Sequence, residues 1–255
     1  MFKRFTQAMV CVVVVLCSSP AFARLDEPAD AARHHRSVAA NAYPAADLIL
    51  GDLTLPIAGV VGRGPQILLR SRHQPALGEL NVFGSVAIPV ETVATKRKWQ
   101  AVMDAELTVG PPTKEIARLL ALVTASRAST DLEALAVVNR VVNTAINYRA
   151  DRGDIWSTAI ATAARGTGDC EDYAILKHWL LVNLGFNPQQ LQLVILRDAR
   201  RGLNHAILAV HLESGTYVLD NLSSRVTADT ALRSYVPLVS FVGDKSYVHG
   251  LDAQS

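Results

Sequence analysis

The sequence predicts an α+β fold, with helices gathered ahead of Leu191 and an antiparallel β-sheet after it. Three observations carry this. Between Thr113 and Leu184 apolar residues recur three and four apart, the spacing of a buried helical face. From Leu191 the pattern changes to short β-rich runs, Leu191 to Leu196, Ala206 to Leu212 and Tyr217 to Leu219. The connections between those runs, Arg197-Asp-Ala-Arg-Arg-Gly-Leu203 and Glu213-Ser-Gly-Thr216, are polar and short, as in a meander. With 50% hydrophobic and 19% charged residues, a chain of this length can bury one good core.

The first element is a leader. Lys3 and Arg4 supply a positive start, Ala8 to Leu16 is almost wholly apolar, and Ala21-Phe-Ala23 has the small-x-small form of a cleavage site. Residues 1–23 are therefore expected to be a signal peptide and the protein to be periplasmic. The apolar run is too short to span a bilayer, so no stable membrane insertion is expected. A lipoprotein would carry a small residue where Leu16 precedes Cys17, so Cys17 is assigned to the leader. Cleavage after Ala23 removes two basic residues and leaves 23 basic against 23 acidic. That balance gives no bulk charge for a nucleic-acid or membrane-surface partner.

Residues 24–80 follow as a poorly defined extension. Its start is rich in Ala, Arg, Asp and Pro, and from Leu48 to about Val90 short apolar stretches (Leu48-Ile-Leu50, Ile67-Leu-Leu69, Val86-Ala-Ile88) are broken by Gly and Pro. Thr113 to about Ser126 reads as a helix with Ile116, Leu119, Leu120 and Val123 on one side. Thr130-x-x-Glu133 is a capping box ahead of a longer helix. Its stripe is Leu132, Leu135, Val138, Val142 and Ile146, and its expected end is near Asp151-Arg-Gly153.

A third helix matters most. Gly166 and Gly168 permit a tight turn, Asp169 is placed to cap, Asp172 sits at N3, and Gly185 closes the segment. Cys170 then falls in the first helical turn. Once the leader is removed it is the last cysteine, and an unpaired thiol is unusual in an oxidising compartment. Free N–H groups and the positive dipole end favour a thiolate there. Asp169, Glu171 and Asp172 oppose it, because carboxylates close by destabilise another anion, so a compensating cation is expected, an imidazolium or a metal ion. Hard carboxylate oxygens suit Ca²⁺, although Asp169 and Asp172 also fit simple helix capping.

His205 begins the middle strand and Asp220 ends the next, and adjacent antiparallel strands can set the two side by side. A thiol at a helix start, an imidazole and an orienting acid are what nucleophilic cysteine catalysis requires. Each has a plainer reading: Cys170 as a small core hydrophobe, His205 as a satisfied strand histidine. His211 lies about 20 Å along the same strand by strand rise. His178 is roughly 12 Å down the helix. Both are poor bases. Asn221 competes with Asp220 as orienter. Trp156 either shapes the cleft or packs, and the Cys170 N–H is the expected oxyanion donor.

Gly166-x-Gly-Asp-Cys-Glu-Asp-Tyr-Ala174, Asn204-His205-Ala206 and Leu219-Asp220-Asn221 together resemble the bacterial transglutaminase-like cysteine peptidases. The likeness takes in Asn143-Thr-Ala-Ile-Asn-Tyr148, Asp151, Trp156, Phe83-Gly84 and Lys98-Trp99, so it covers roughly 81–248. It implies a transglutaminase/papain-like fold, with Cys170 as nucleophile, His205 as base and then acid, and Asp220 as its orienting partner. It also implies calcium on Asp169 and Glu171, with Asp172 a third candidate. The implied substrate is a protein in the periplasm or at the cell surface, such as a large adhesin, and an inner-membrane inhibitory receptor is an implied partner. Two other classes fit the same residues: a transglutaminase-fold enzyme acting on side-chain or wall-peptide amides, and a non-catalytic periplasmic binding module.

Overall fold

The computed structural model describes residue 75 and residues 80–108 and 112–251. The expected signal peptide, nearly all of the 24–80 extension and the stretches around Leu48 and Ile67 lie outside the described residues. The chain orders itself as β1 (Ser85–Val90), α1 (Lys96–Thr108), α2 (Lys114–Ala125), α3 (Asp131–Ala145), β2 (Asn147–Tyr148), α4 (Ala159–Arg165), β3 (Thr167–Gly168) and α5 (Cys170–Asn183). Then come β4 (Leu191–Asp198), β5 (Leu203–Leu212), β6 (Gly215–Asp220), β7 (Ser223–Ala228), β8 (Tyr235–Val242) and β9 (Lys245–Leu251). The α+β expectation holds. Among the described residues no helix is long and apolar enough to cross a membrane.

Seven strands form one antiparallel sheet in the order β1-β9-β8-β4-β5-β6-β7. Strand alternation divides its side chains. Leu191, Leu193, Leu208, Val210, Leu212 and Leu219 join the helical core. Val194, Leu196, Ile207, Ala209 and Val218 face the other way with Val82 and Tyr235. The central strands β4 and β5 are thus apolar on both faces, which explains their nearly continuous hydrophobic runs. α5 is buried almost all round, from Glu171 to Leu181 except Trp179, as a helix enclosed by other elements must be.

α2 buries Ile116, Leu119 and Val123 as its spacing predicts. The capping box forms on α3, with Glu133 N–H donating to Thr130 Oγ1 and the Glu133 carboxylate accepting from Thr130 N–H. Two corrections follow. Leu132 is exposed rather than part of the stripe. α3 ends at Ala145, short of Asp151, because Ile146 turns extended and Asn147-Tyr148 pair in parallel with Thr167-Gly168. That small sheet brings the end of α3 beside the turn before Cys170.

On the face away from the helices a chain of side-chain hydrogen bonds crosses the sheet. Ser85 Oγ meets His249 Nδ1 at 2.8 Å, His249 Nε2 meets Ser240 Oγ at 2.8 Å, and Gln192 Nε2 donates to Ser240 Oγ at 2.8 Å. Gln192 Oε1 pairs with His211 Nε2 at 2.7 Å, and His211 Nδ1 with Thr216 Oγ1 at 3.0 Å. One residue comes from each of β1, β9, β8, β4, β5 and β6, in the order in which those strands lie.

Candidate active site

The turn into α5 is built by close approach. Gly166 takes φ 62° and caps the end of α4. At Gly168 a Cβ would stand 2.6 Å from Asp172 Cβ, so no side chain fits there. Asp172 is held by protein donors on both oxygens: Oδ1 accepts from Ser157 N–H at 2.9 Å, and Oδ2 from the Arg165 guanidinium at 3.2 Å. Of the three acids around the cysteine, Asp172 is therefore committed to locking the α4–α5 corner. Burial raises its pKa, opposed by those donors.

Asp169 sits at the N-cap but makes no side-chain capping bond, which corrects the capping expectation. Its Oδ2 accepts a 3.4 Å bond from Asp151 N–H, and its buried Oδ1 has no partner. Burial, then the charge of Asp172, lifts Asp169 to about 6. Burial, then the charge of Asp169, lifts Glu171 to about 8. Two carboxylates compressed in this way, one with an orphaned oxygen, have the donor chemistry for a hard cation. Among the described residues no group of three His, Cys, Asp or Glu side chains is assembled for a metal, so further ligands would be backbone oxygens or water.

The Cys170 thiol donates to Glu171 Oε2 at 3.2 Å. Burial, the Glu171 charge and that bond push the thiol well above its usual value, and the Ala206 N–H donated to the sulfur works against them. The helix start alone does not outweigh burial and the neighbouring carboxylates. The Ala206 contact also fixes where the thiol lies: beside β5, at the residue after His205.

His205 and Asp220 form the other half of the site. His205 Nε2 lies 2.9 Å from Asp220 Oδ1. Leu222 N–H donates to the same oxygen at 2.9 Å, and the Tyr235 hydroxyl to Oδ2 at 2.6 Å. Burial alone would raise Asp220, yet the His205 ring and these donors hold it well below the usual carboxylate range. An ionised Asp220 fixes the tautomer: Nε2 carries the hydrogen and Nδ1 is free to accept. The Tyr235 ring also meets the His205 ring edge-on at 6.0 Å. Asp220, rather than Asn221, is the residue bonded to His205. Tyr235 was not foreseen, since it reaches Asp220 from the distant strand β8.

The remaining candidates fall elsewhere. His178 is buried edge-on to Trp99 at 5.5 Å and pushed down to about 4 by burial. His211 belongs to the bonds crossing the sheet. Trp156 donates to Asp154 Oδ1 and packs edge-on to Phe241 at 6.1 Å.

Solved structures similar to this chain include Legionella pneumophila LapG, at 22% identity over 62% of this chain and 90% of that one, with a TM-score of 0.48. Its calcium-bound form gives 23% identity over 61% and 92%, again with a TM-score of 0.48. A putative cysteine protease from Cytophaga hutchinsonii gives 14% identity over 66% and 54%, with a TM-score of 0.39. No curated protein matches the sequence significantly. Residues 118–237 match the family described as bacterial transglutaminase-like cysteine proteinase, a span that holds Cys170, His205, Asp220 and Tyr235. The domain built on those residues belongs to the bacterial transglutaminase-like cysteine proteinases.

Proposed function

We propose that this protein is an exported cysteine endopeptidase that cleaves a peptide bond in a periplasmic or cell-surface protein, a large adhesin being the leading substrate class, with Cys170, His205 and Asp220 as its triad. The observation that carries the reading is the His205–Asp220 pair at 2.9 Å, set one residue from the backbone N–H that meets the Cys170 sulfur.

The steps follow from that geometry. The Cys170 thiol gives its proton to His205 Nδ1, and the thiolate attacks the substrate carbonyl carbon. The developing oxyanion is met by the Cys170 N–H, at the first helical turn where no intrahelical acceptor exists. The C–N bond breaks as the His205 imidazolium protonates the leaving amine, which leaves a thioester on Cys170. His205 then takes a proton from water, the resulting hydroxide adds to the thioester, and the thiolate departs from the released acid. Asp220 stays ionised throughout and stabilises the imidazolium.

Asp169 and Glu171 are the residues suited to hold calcium, and a bound ion would supply positive charge beside the thiol. Without it, Glu171 Oε2 competes with His205 for the thiol proton. Regulation by an inner-membrane receptor is part of the same proposal and rests on the family likeness alone.

The test compares release of surface adhesin, and peptide mass spectra of the released product, between wild type and Cys170→Ala. Backbone cleavage abolished in Cys170→Ala supports the reading. Equal release in the two strains would sink it, and side-chain deamidation or cross-links without backbone cleavage would replace the peptidase with an amide-directed enzyme.

A further inference from the structure

Two asparagines on one face of α3 reach across to the turn that carries Asp220. Asn139 and Asn143 stand one helical turn apart, on a helix that packs against β6 and β7. Asn139 Nδ2 donates to Ser223 O at 2.8 Å, and Asn143 Nδ2 donates to Asp220 O at 2.8 Å and to Ser223 O at 3.1 Å. Asp220 and Ser223 are the register partners that close the β6–β7 turn, so Asn143 spans both of its ends. The far end of the same helix runs into the nucleophile's half of the site. Ile146 O accepts from the Tyr173 hydroxyl of α5, and Asn147 N–H donates to Gly166 O at 2.9 Å.

Asparagine is a weak helix former, and an apolar residue would cover β7 without a polar group to satisfy. Asn139 is fully buried, and Oδ1 of each asparagine is buried without a partner, so only the donor side of each amide is used. Pairing with β7 does not place the turn by itself, because the register shifts between Val218 and Asp220. The pose of the turn then decides where the carboxylate points. Leu222 N–H, inside the turn, donates to Asp220 Oδ1, the same oxygen that meets His205 Nε2. A turn that tilts carries both the Asp220 backbone and the Leu222 donor away from the His205 ring.

We propose that Asn143, with Asn139 one turn before it, is a positioning residue of the hydrolytic site: its amide ties the Asp220 and Ser223 carbonyls to α3 and so aims the Asp220 carboxylate at His205. This rests on the triad reading above. It has a consequence that simple packing lacks, because loss of the amide is read at the His205–Asp220 bond itself and not in stability alone.

The experiment follows the His205 Nε2 proton by NMR in the full chain carrying Cys170→Ala, alone and combined with Asn143→Leu, Asn143→Ala or Asn139→Leu. A proton shared between imidazole and carboxylate resonates far downfield, and its signal is assigned by its loss in His205→Gln. The expected result is that both Asn143 variants move the signal upfield or lose it to exchange with water, with a smaller shift in Asn139→Leu. In chains that keep Cys170, the rate of surface-adhesin release falls roughly 10- to 10²-fold in Asn143→Leu. Leu matches the shape of Asn and Ala leaves space, so the position is tested both filled and emptied, and Asn139→Leu loosens the turn without touching the bond to Asp220 O. A signal that stays in place in the folded variants overturns the proposal, even where Tm or release falls, since that marks a packing role. Should Cys170→Ala itself retain hydrolysis, the triad reading fails while the His205 signal still decides Asn143.

Discussion

The two halves of the site are built on opposite plans. On the sheet, Asp220 has a donor on each oxygen, His205 is fixed in one tautomer, and Tyr235 closes the pair from β8. At the start of α5, Asp169 keeps an oxygen without a partner, two carboxylates share one neighbourhood, and the thiol is bonded to an acid rather than to its base. One half is satisfied by its own hydrogen bonds. The other is under electrostatic stress, and a cation between the acids is what would relieve it. The contrast is between a pair of residues that satisfy one another and a pair of acids that do not.

The largest effect is expected from breaking the satisfied half. Asp220→Asn replaces an anion with an amide that cannot stabilise an imidazolium and that presents an N–H₂ to one of three existing donors. We expect kcat/KM to fall roughly 10³- to 10⁴-fold, with the far-ultraviolet spectrum unchanged. A loss below tenfold would show that the dyad is not organised around this acid.

The stressed half gives the next effect, with a sign that depends on the ion. Asp169 and Glu171 have folded pKa values of about 6 and about 8, above the unfolded carboxylate range. Their ionisation therefore costs stability, which is lost as pH rises through about 6 and then about 8. In chelator at pH 8, Asp169→Asn removes the cost of ionising a carboxyl crowded by Asp172 and Glu171 and should raise Tm by a few degrees. With saturating calcium, if Asp169 holds the ion as proposed, the same substitution should lower Tm. Thermal unfolding in both buffers checks this, and a shift of the same sign in each would end the contrast drawn above.

The smallest effect sharpens the comparison from within the satisfied half. Tyr235→Phe deletes one donor and leaves Asp220 Oδ2 bare. About 1–2 kcal/mol of stability should go, read by denaturant unfolding, and kcat/KM should fall about tenfold. No change in either would mean that water replaces the hydroxyl freely.

The pairing of His205 with Asp220 was legible in the sequence because the two stand at a strand start and a strand end, and their meeting needed only strand adjacency. Cys170 was marked by its place at a helix start. Asp172 could not be told from its neighbours because a run of acids looks uniform in sequence, and only the fold sends one of them to Ser157 and Arg165. Tyr235 was invisible because β8 reaches the site through a sheet order that short-range patterning does not encode. α1 and α4 were also missed. In α1 the buried Trp99 and Val102 are outnumbered by polar neighbours, and α4 is a seven-residue Ala-rich segment with almost no pattern to detect. The early end of α3 follows from a two-residue pairing with β3 that no propensity foretells.

The hydrogen bonds from Ser85 to Thr216 bear on how the strands find their alignment. Apolar side chains tolerate sliding, and a strand moved by two residues still presents grease to grease. A polar chain running Ser, His, Ser, Gln, His, Thr does not. Displacing any strand by two residues leaves buried nitrogen or oxygen facing carbon on both sides, at about 1–3 kcal/mol for each stranded group. The chain thus works like the teeth of a key, rejecting misaligned sheets at six strands at once. Because β5 carries both His211 and His205, the alignment it enforces at one end of the strand is the one that brings His205 to Asp220 at the other.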